Sequence, residues 1–119
     1  TDMPRQESGE PYYRVALDEV MELYDADDTV VVDVRRMDEY EGGHVKGALH
    51  IPVDDVLARI QELPEDKRLL FICAAGVRSG LACEMASAMG LDSENLFNIE
   101  AGTGPWIDRG FPTSHGTDV

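Results

Sequence analysis

Cys73 follows four apolar residues, Leu69-Leu70-Phe71-Ile72, and precedes the small residues Ala74-Ala75-Gly76, which lead into Val77-Arg78-Ser79-Gly80. A short unbroken apolar run is the pattern of a strand buried on both faces, as in a parallel sheet. From Ser79 onward Ala82, Cys83, Ala86 and Met89 recur at helical spacing, and Gly90 stands where a helix C-cap glycine belongs. A cysteine between a strand end and a helix start lies under backbone N–H groups that aim at its sulfur, and the helix dipole adds positive potential. The loop from Cys73 to Arg78 would then be an anion nest that favours thiolate over thiol. Its chemistry would be nucleophilic attack, with the nest holding a second anion or a terminal sulfur. The opposing reading is a small buried hydrophobe at a strand end, an ordinary place for a free cysteine, and the pattern around Cys73 alone leaves the two balanced.

The second cysteine, Cys83, belongs to the same strand-loop-helix unit, which a disulfide would distort, so reduced thiols in a cytoplasmic setting are expected. Cys83 reads as core-facing on its helix, with a resolving thiol as the alternative. The three histidines show no ligand spacing near the cysteines, so neither a metal nor a cofactor is expected.

The elements that must position Cys73 alternate. Tyr12 to Val15 reads as a strand, and Leu17, Val20, Met21 and Tyr24 mark the apolar face of a helix with a soft start at Ala16. Thr29 to Val34 is a second strand, Met37 to Glu41 one helical turn stopped by Gly42-Gly43, and Ala48 to Ile51 a third strand ended by Pro52. Val53, Val56, Leu57 and Ile60 predict a helix closed by Leu63-Pro64, and Leu96 to Ile99 and Gly102 to Arg109 predict a last strand and a short helix carrying Trp106. Strands alternating with helices predict an α/β fold around a mostly parallel sheet of about five strands flanked by helices, with the ligand site beyond the carboxyl ends of the strands. Residues 1–11 are expected to be a flexible lead-in, 12–112 the domain and 113–119 a tail.

With 119 residues the chain is long enough for one core without disulfides or metal. Thr1 in place of Met marks a trimmed chain or a piece of a longer one, and no apolar stretch reaches membrane-spanning length. The 24 acidic residues against 10 basic ones give a net charge of −14, which argues against nucleic acid or an anionic membrane as partner. Lys46 and Lys67 are the only lysines, a balance that fits a high-salt source and predicts stability rising with KCl.

Three motifs in order resemble the single-domain rhodaneses: Asp33-Val34-Arg35 with Glu39-Tyr40 and Gly43-His44-Val45-Lys46-Gly47-Ala48 through Ile51-Pro52; Cys73-x-x-Gly76-x-Arg78-Ser79; and Asn98-Ile99-Glu100-Ala101-Gly102 through Trp106 to Gly110-Phe111-Pro112. The resemblance spans most of residues 13–112 and implies the rhodanese-like three-layer fold and a sulfurtransferase. Cys73 would attack the outer sulfur of thiosulfate or a persulfide, become a persulfide itself, and pass that sulfur to a thiol acceptor. The backbone of Ala74, Ala75, Gly76, Val77, Arg78 and Ser79 would hold the persulfide anion. Arg78 would either add charge to the nest or pair with a carboxylate such as Glu39 or Asp33; the second reading is preferred because buried arginines need partners. Asp33, Arg35 and Glu39 read as structural support, His44 as a hydrogen-bonding turn residue, and Trp106 as core or pocket wall. Ala74 and Ala75 stand where some thiosulfate-using relatives carry basic side chains, which weakens the case for thiosulfate as donor, and Ala101 replaces a glycine with only a local effect expected. The alternative function is a non-enzymatic persulfide carrier or interaction module. Phosphatases and arsenate reductases of the same fold have five residues between cysteine and arginine, whereas Cys73 and Arg78 are separated by four, a loop better fitted to one sulfur atom than to a phosphate.

Overall fold

The computed structural model describes residues 4–119, so the first three residues of the expected lead-in lie outside the described residues. The elements run β1 (Tyr13–Val15), α1 (Leu17–Tyr24), β2 (Thr29–Asp33), α2 (Met37–Glu41), β3 (His44–Val45), β4 (Leu49–His50), β5 (Arg68–Ile72), α3 (Val77–Ala88), β6 (Leu96–Ile99), α4 (Thr103–Asp108) and β7 (Thr113–Ser114). Five strands form one sheet in the order β1-β6-β5-β2-β4, and all four pairings are parallel. The five expected strands are the five of this sheet.

The apolar run of β5 is buried on both faces because helices cover both sides of the sheet. Leu69 and Phe71 pack with Ala82, Cys83 and Ala86 of α3 and with Ile51, Val56 and Leu63. Leu70 and Ile72 point the other way, into a cluster with Leu17 and Val20 of α1 and Trp106 of α4. The result is a three-layer α/β/α arrangement with β5 at its centre. Helix α1 starts without a capping side chain at Ala16, and the Glu19 carboxylate accepts the Ala16 N–H instead at 3.1 Å. At the end of α3, Gly90 takes φ +98° and the Leu91 N–H reaches back to the Ala86 carbonyl at 3.1 Å, closing the helix as a C-cap glycine should.

The expected helix between Pro52 and Pro64 is a correction. Val53–Asp55 and Ile60–Glu62 are separate 3₁₀ turns with a looser turn between them. A three-residue period suits this stretch, since Val53 with Val56 and Ile60 with Leu63 meet the core at that spacing, while Leu57, expected on the buried face, is exposed. Helix α3 also begins at Val77 rather than Ser79, because Gly76 at φ +88° turns the chain straight into it. Strands β3 and β7 were not anticipated. They pair antiparallel, His44 with Ser114 and Val45 with Thr113, so residues read as a tail form part of a second, two-stranded sheet. At the other end Arg5 makes an antiparallel bridge to Arg14.

Candidate active site

Cys73 is the first residue after β5, and only 1% of its surface is exposed. The chain rises from it through exposed Ala74 and Ala75, turns at Gly76 and enters α3. The Gly76 N–H donates to the Cys73 Sγ at 3.1 Å, and the Ser79 hydroxyl oxygen lies 3.3 Å from the same sulfur. Burial raises the Cys73 thiol, but the Ser79 hydroxyl and the backbone N–H groups of Ser79, Ala75 and Gly76 outweigh it, and the net shift is below the ordinary thiol value. Cys83 is the opposite case: fully buried in the core, with its Sγ 3.6 Å from the Phe97 carbonyl, it is pushed well up by desolvation. Both thiols are free.

Three residues behind the loop hold it in place. The Ser79 hydroxyl donates to Asn98 Oδ1 at 2.6 Å, and Asn98 Nδ2 donates to the Gly76 carbonyl at 3.0 Å. Thr103 donates to the Cys73 carbonyl through both its N–H, at 2.9 Å, and its hydroxyl, at 3.1 Å. Neither Asn98 nor Thr103 was given a role from the sequence. Asn98 left a signal, a polar residue within the otherwise apolar run of β6, whereas Thr103 left none because it reaches Cys73 only through the fold. Gly76 and Gly102 admit no side chain: a Cβ on Gly76 would stand 2.7 Å from the Glu100 carbonyl oxygen, and one on Gly102 2.0 Å from that of Ala74.

Arg78, in the first turn of α3, pairs with Glu39 of α2 through two hydrogen bonds of 2.7 and 2.9 Å. Asp33 and Arg35, both buried, bind each other at 2.7 Å, and Arg35 also donates to the Gly43 carbonyl at 2.8 Å. Asp33 lies beside Ile72 in register, at the base of the loop, but its partners lie on its own segment. His44 is buried in β3, stacked on Tyr40, with Nδ1 2.7 Å from the Tyr40 carbonyl and Nε2 facing the Asp118 carbonyl. It is therefore a strand residue in contact with Asp118 and takes no part in the hydrogen bonds around Cys73. Trp106 is fully buried in the core.

A groove of about 810 Å³ runs along the outer side of the loop, past Ala75, Gly76 and Val77, with Tyr12, Arg14 and Arg109 among the residues opposite. Cys73 does not line it. Its two cations are already matched, Arg14 by Glu10 and Glu100 and Arg109 by Asp18. Among the described residues no helix is long and apolar enough to cross a membrane.

Comparison with known proteins agrees with this geometry. Residues 16–109 match the family model for the rhodanese-like domain. A sulfurtransferase of Allochromatium vinosum is 30% identical over 90 residues, covering 76% of this chain and 82% of the relative. YrkF of Bacillus subtilis (strain 168) is 30% identical over 96 residues, covering 80% of this chain, which spans about half of YrkF, 51%. A solved structure of the human single-domain sulfurtransferase TSTD1 superposes with a TM-score of 0.71 at 27% identity, covering 85% of this chain and 98% of that one. With the sheet order, the cysteine loop and these likenesses together, the chain belongs to the rhodanese-like domain family, whose sulfurtransferase members point to a role in sulfur transfer.

Proposed function

We propose that the protein is a sulfurtransferase that carries sulfane sulfur on Cys73, in a reducing cytoplasmic setting, from a small donor or a protein persulfide to a thiol acceptor. The observation that carries this reading is the convergence of backbone N–H groups and the Ser79 hydroxyl on one buried sulfur. The Cys73 thiolate attacks the outer sulfur of the donor; a new S–S bond forms as the donor's S–S bond breaks, and the donor's remainder leaves with the electron pair as thiolate or sulfite. An acceptor thiolate then attacks the outer sulfur and releases the Cys73 thiolate, so kinetics should be ping-pong. The backbone nest stabilises the persulfide anion, which needs no general base once the thiol is ionised.

The surroundings favour a persulfide donor over free thiosulfate. Ala74 and Ala75 bring no charge to the mouth, Arg78 is matched by Glu39, and the groove's arginines are ion-paired, so a dianion would meet backbone dipoles alone. A second reading, a carrier loaded and unloaded only by proteins, draws on the exposed uncharged rim, where Val77 is 80% exposed.

The test is loading with thiosulfate and with the persulfide of an uncharged thiol such as 2-mercaptoethanol, followed by intact mass measurement and by cyanide addition with a thiocyanate assay. One added sulfur on the wild type, absent in Cys73→Ser, with faster loading from the persulfide, is the expected result. Thiocyanate formed equally by Cys73→Ser would overturn the proposal. Loading without turnover would favour the carrier.

A further inference from the structure

Ser79 has one hydroxyl proton and two neighbours that compete for it. Its Oγ lies 2.6 Å from Asn98 Oδ1 and 3.3 Å from Cys73 Sγ. The far end of Asn98 fixes its orientation: Nδ2 donates to the Gly76 carbonyl at 3.0 Å, and turning the amide over would set two oxygens against each other. Ser79, Asn98 and Cys73 are all at least 98% buried, and although Asn98 borders the outer groove, so small an exposed surface makes water a poor replacement for the Ser79 hydroxyl. With Cys73 as a thiol the chain is complete. Its S–H donates to Ser79 Oγ, the Ser79 hydroxyl donates to Asn98 Oδ1, and Asn98 donates to Gly76. When the thiol proton leaves to solvent, the sulfur can only accept. The Ser79 proton must then swing to Sγ, and Asn98 Oδ1 is left buried without a donor, an unfavourable state.

We propose that Asn98 is a positioning residue that sets how readily Cys73 ionises, by competing with the thiolate for the Ser79 hydroxyl proton. The competition favours states in which Sγ carries no charge, the neutral thiol and the persulfide, whose charge lies on the outer sulfur. Asn98 thereby raises the tendency of the bare thiolate to take up sulfur, an inference that rests on Cys73 being the sulfur carrier. The charged groups around the site do not supply the same effect. Arg78 on α3 is matched by Glu39 on α2, Asp33 at the end of β2 by Arg35, and Glu100 beyond β6 by Arg5 and Arg14.

The test is the rate of Cys73 alkylation by iodoacetamide across pH, followed by peptide-resolved mass spectrometry so that Cys83 is not counted. Asn98→Leu removes the competitor, and Cys73 should react about tenfold faster than wild type at a pH below the wild-type midpoint. In a Ser79→Ala background the same substitution should change nothing, because no proton remains to compete for. Asn98→Ala gives a second, smaller replacement should leucine be poorly accommodated. A midpoint that stays or rises in Asn98→Leu and Asn98→Ala, or moves equally with and without Ser79, would overturn the proposal. The expected titration in a protein that takes up no sulfur would uphold it and remove the sulfur-transfer reading instead.

Discussion

The charge of Arg78 is matched by Glu39 instead of being offered to an incoming anion, and that pairing is measurable. The Arg78 hydrogen bonds hold the Glu39 carboxyl down at about 2, from its ordinary value of 4.5, against a smaller opposing push from burial. A carboxylate whose folded value lies below its unfolded one stabilises the fold above the unfolded value, and that contribution is lost as pH falls through the folded one. Glu39→Gln should therefore cost about 1 kcal/mol at neutral pH, a discount for partial solvent screening included. In thermal melts the gap between variant and wild type should close as pH drops from 4.5 toward 2. A gap equally wide at both ends would show that Glu39 acts through packing rather than charge.

At the scale of the element, the loop's shape is held by glycines that face backbone. Gly102, at φ +87° and ψ −177°, occupies a region open essentially to glycine alone, and a Cβ there would strike the Ala74 carbonyl. Gly110 also has positive φ, +72°, but a Cβ there meets open space. Gly110→Ala should thus cost about 1 kcal/mol, from backbone strain alone. Gly102→Ala should cost at least about 2 kcal/mol more, since the Ala74 carbonyl must also move. Chemical denaturation of the two variants reads this difference, and equal losses would count against a steric role for Gly102. Persulfide formation should fall in Gly102→Ala only, because Ala74 is the neighbour of Cys73. Between Pro52 and Pro64 the sequence leaves the element type open. Its apolar spacing is compatible with both α and 3₁₀ periods over so short a run, and packing under the sheet selected the latter.

For the whole molecule the main term is charge. Each of the eight arginines is within 4.0 Å of a carboxylate, which leaves the acidic excess to repel itself across the surface. Screening should relieve that repulsion more than it weakens exposed ion pairs, each worth little alone. The melting temperature should rise by several degrees as KCl is raised from millimolar to molar, and a flat or falling series would show that the repulsion is already dispersed. The same charge should slow loading by anionic donors at low salt relative to neutral ones.

The sequence by itself determined the five parallel strands, the position of Cys73 at a strand end, and the N–H groups above it. These follow from local chemistry: an unbroken apolar run, a small-residue turn, a helical repeat and a capping glycine. It also favoured pairing Arg78 with a carboxylate such as Glu39 or Asp33 over a place in the nest. Only the tertiary structure decided between them, because Asp33 is taken by its near neighbour Arg35 while Glu39 is brought across from another helix. The same holds for Thr103, which meets the Cys73 carbonyl over 30 positions of chain, and for Asn98, which meets Ser79 and Gly76 over 19 and 22. Side chains that act across such separations are brought together by the stacking of parallel strands, which no local pattern encodes.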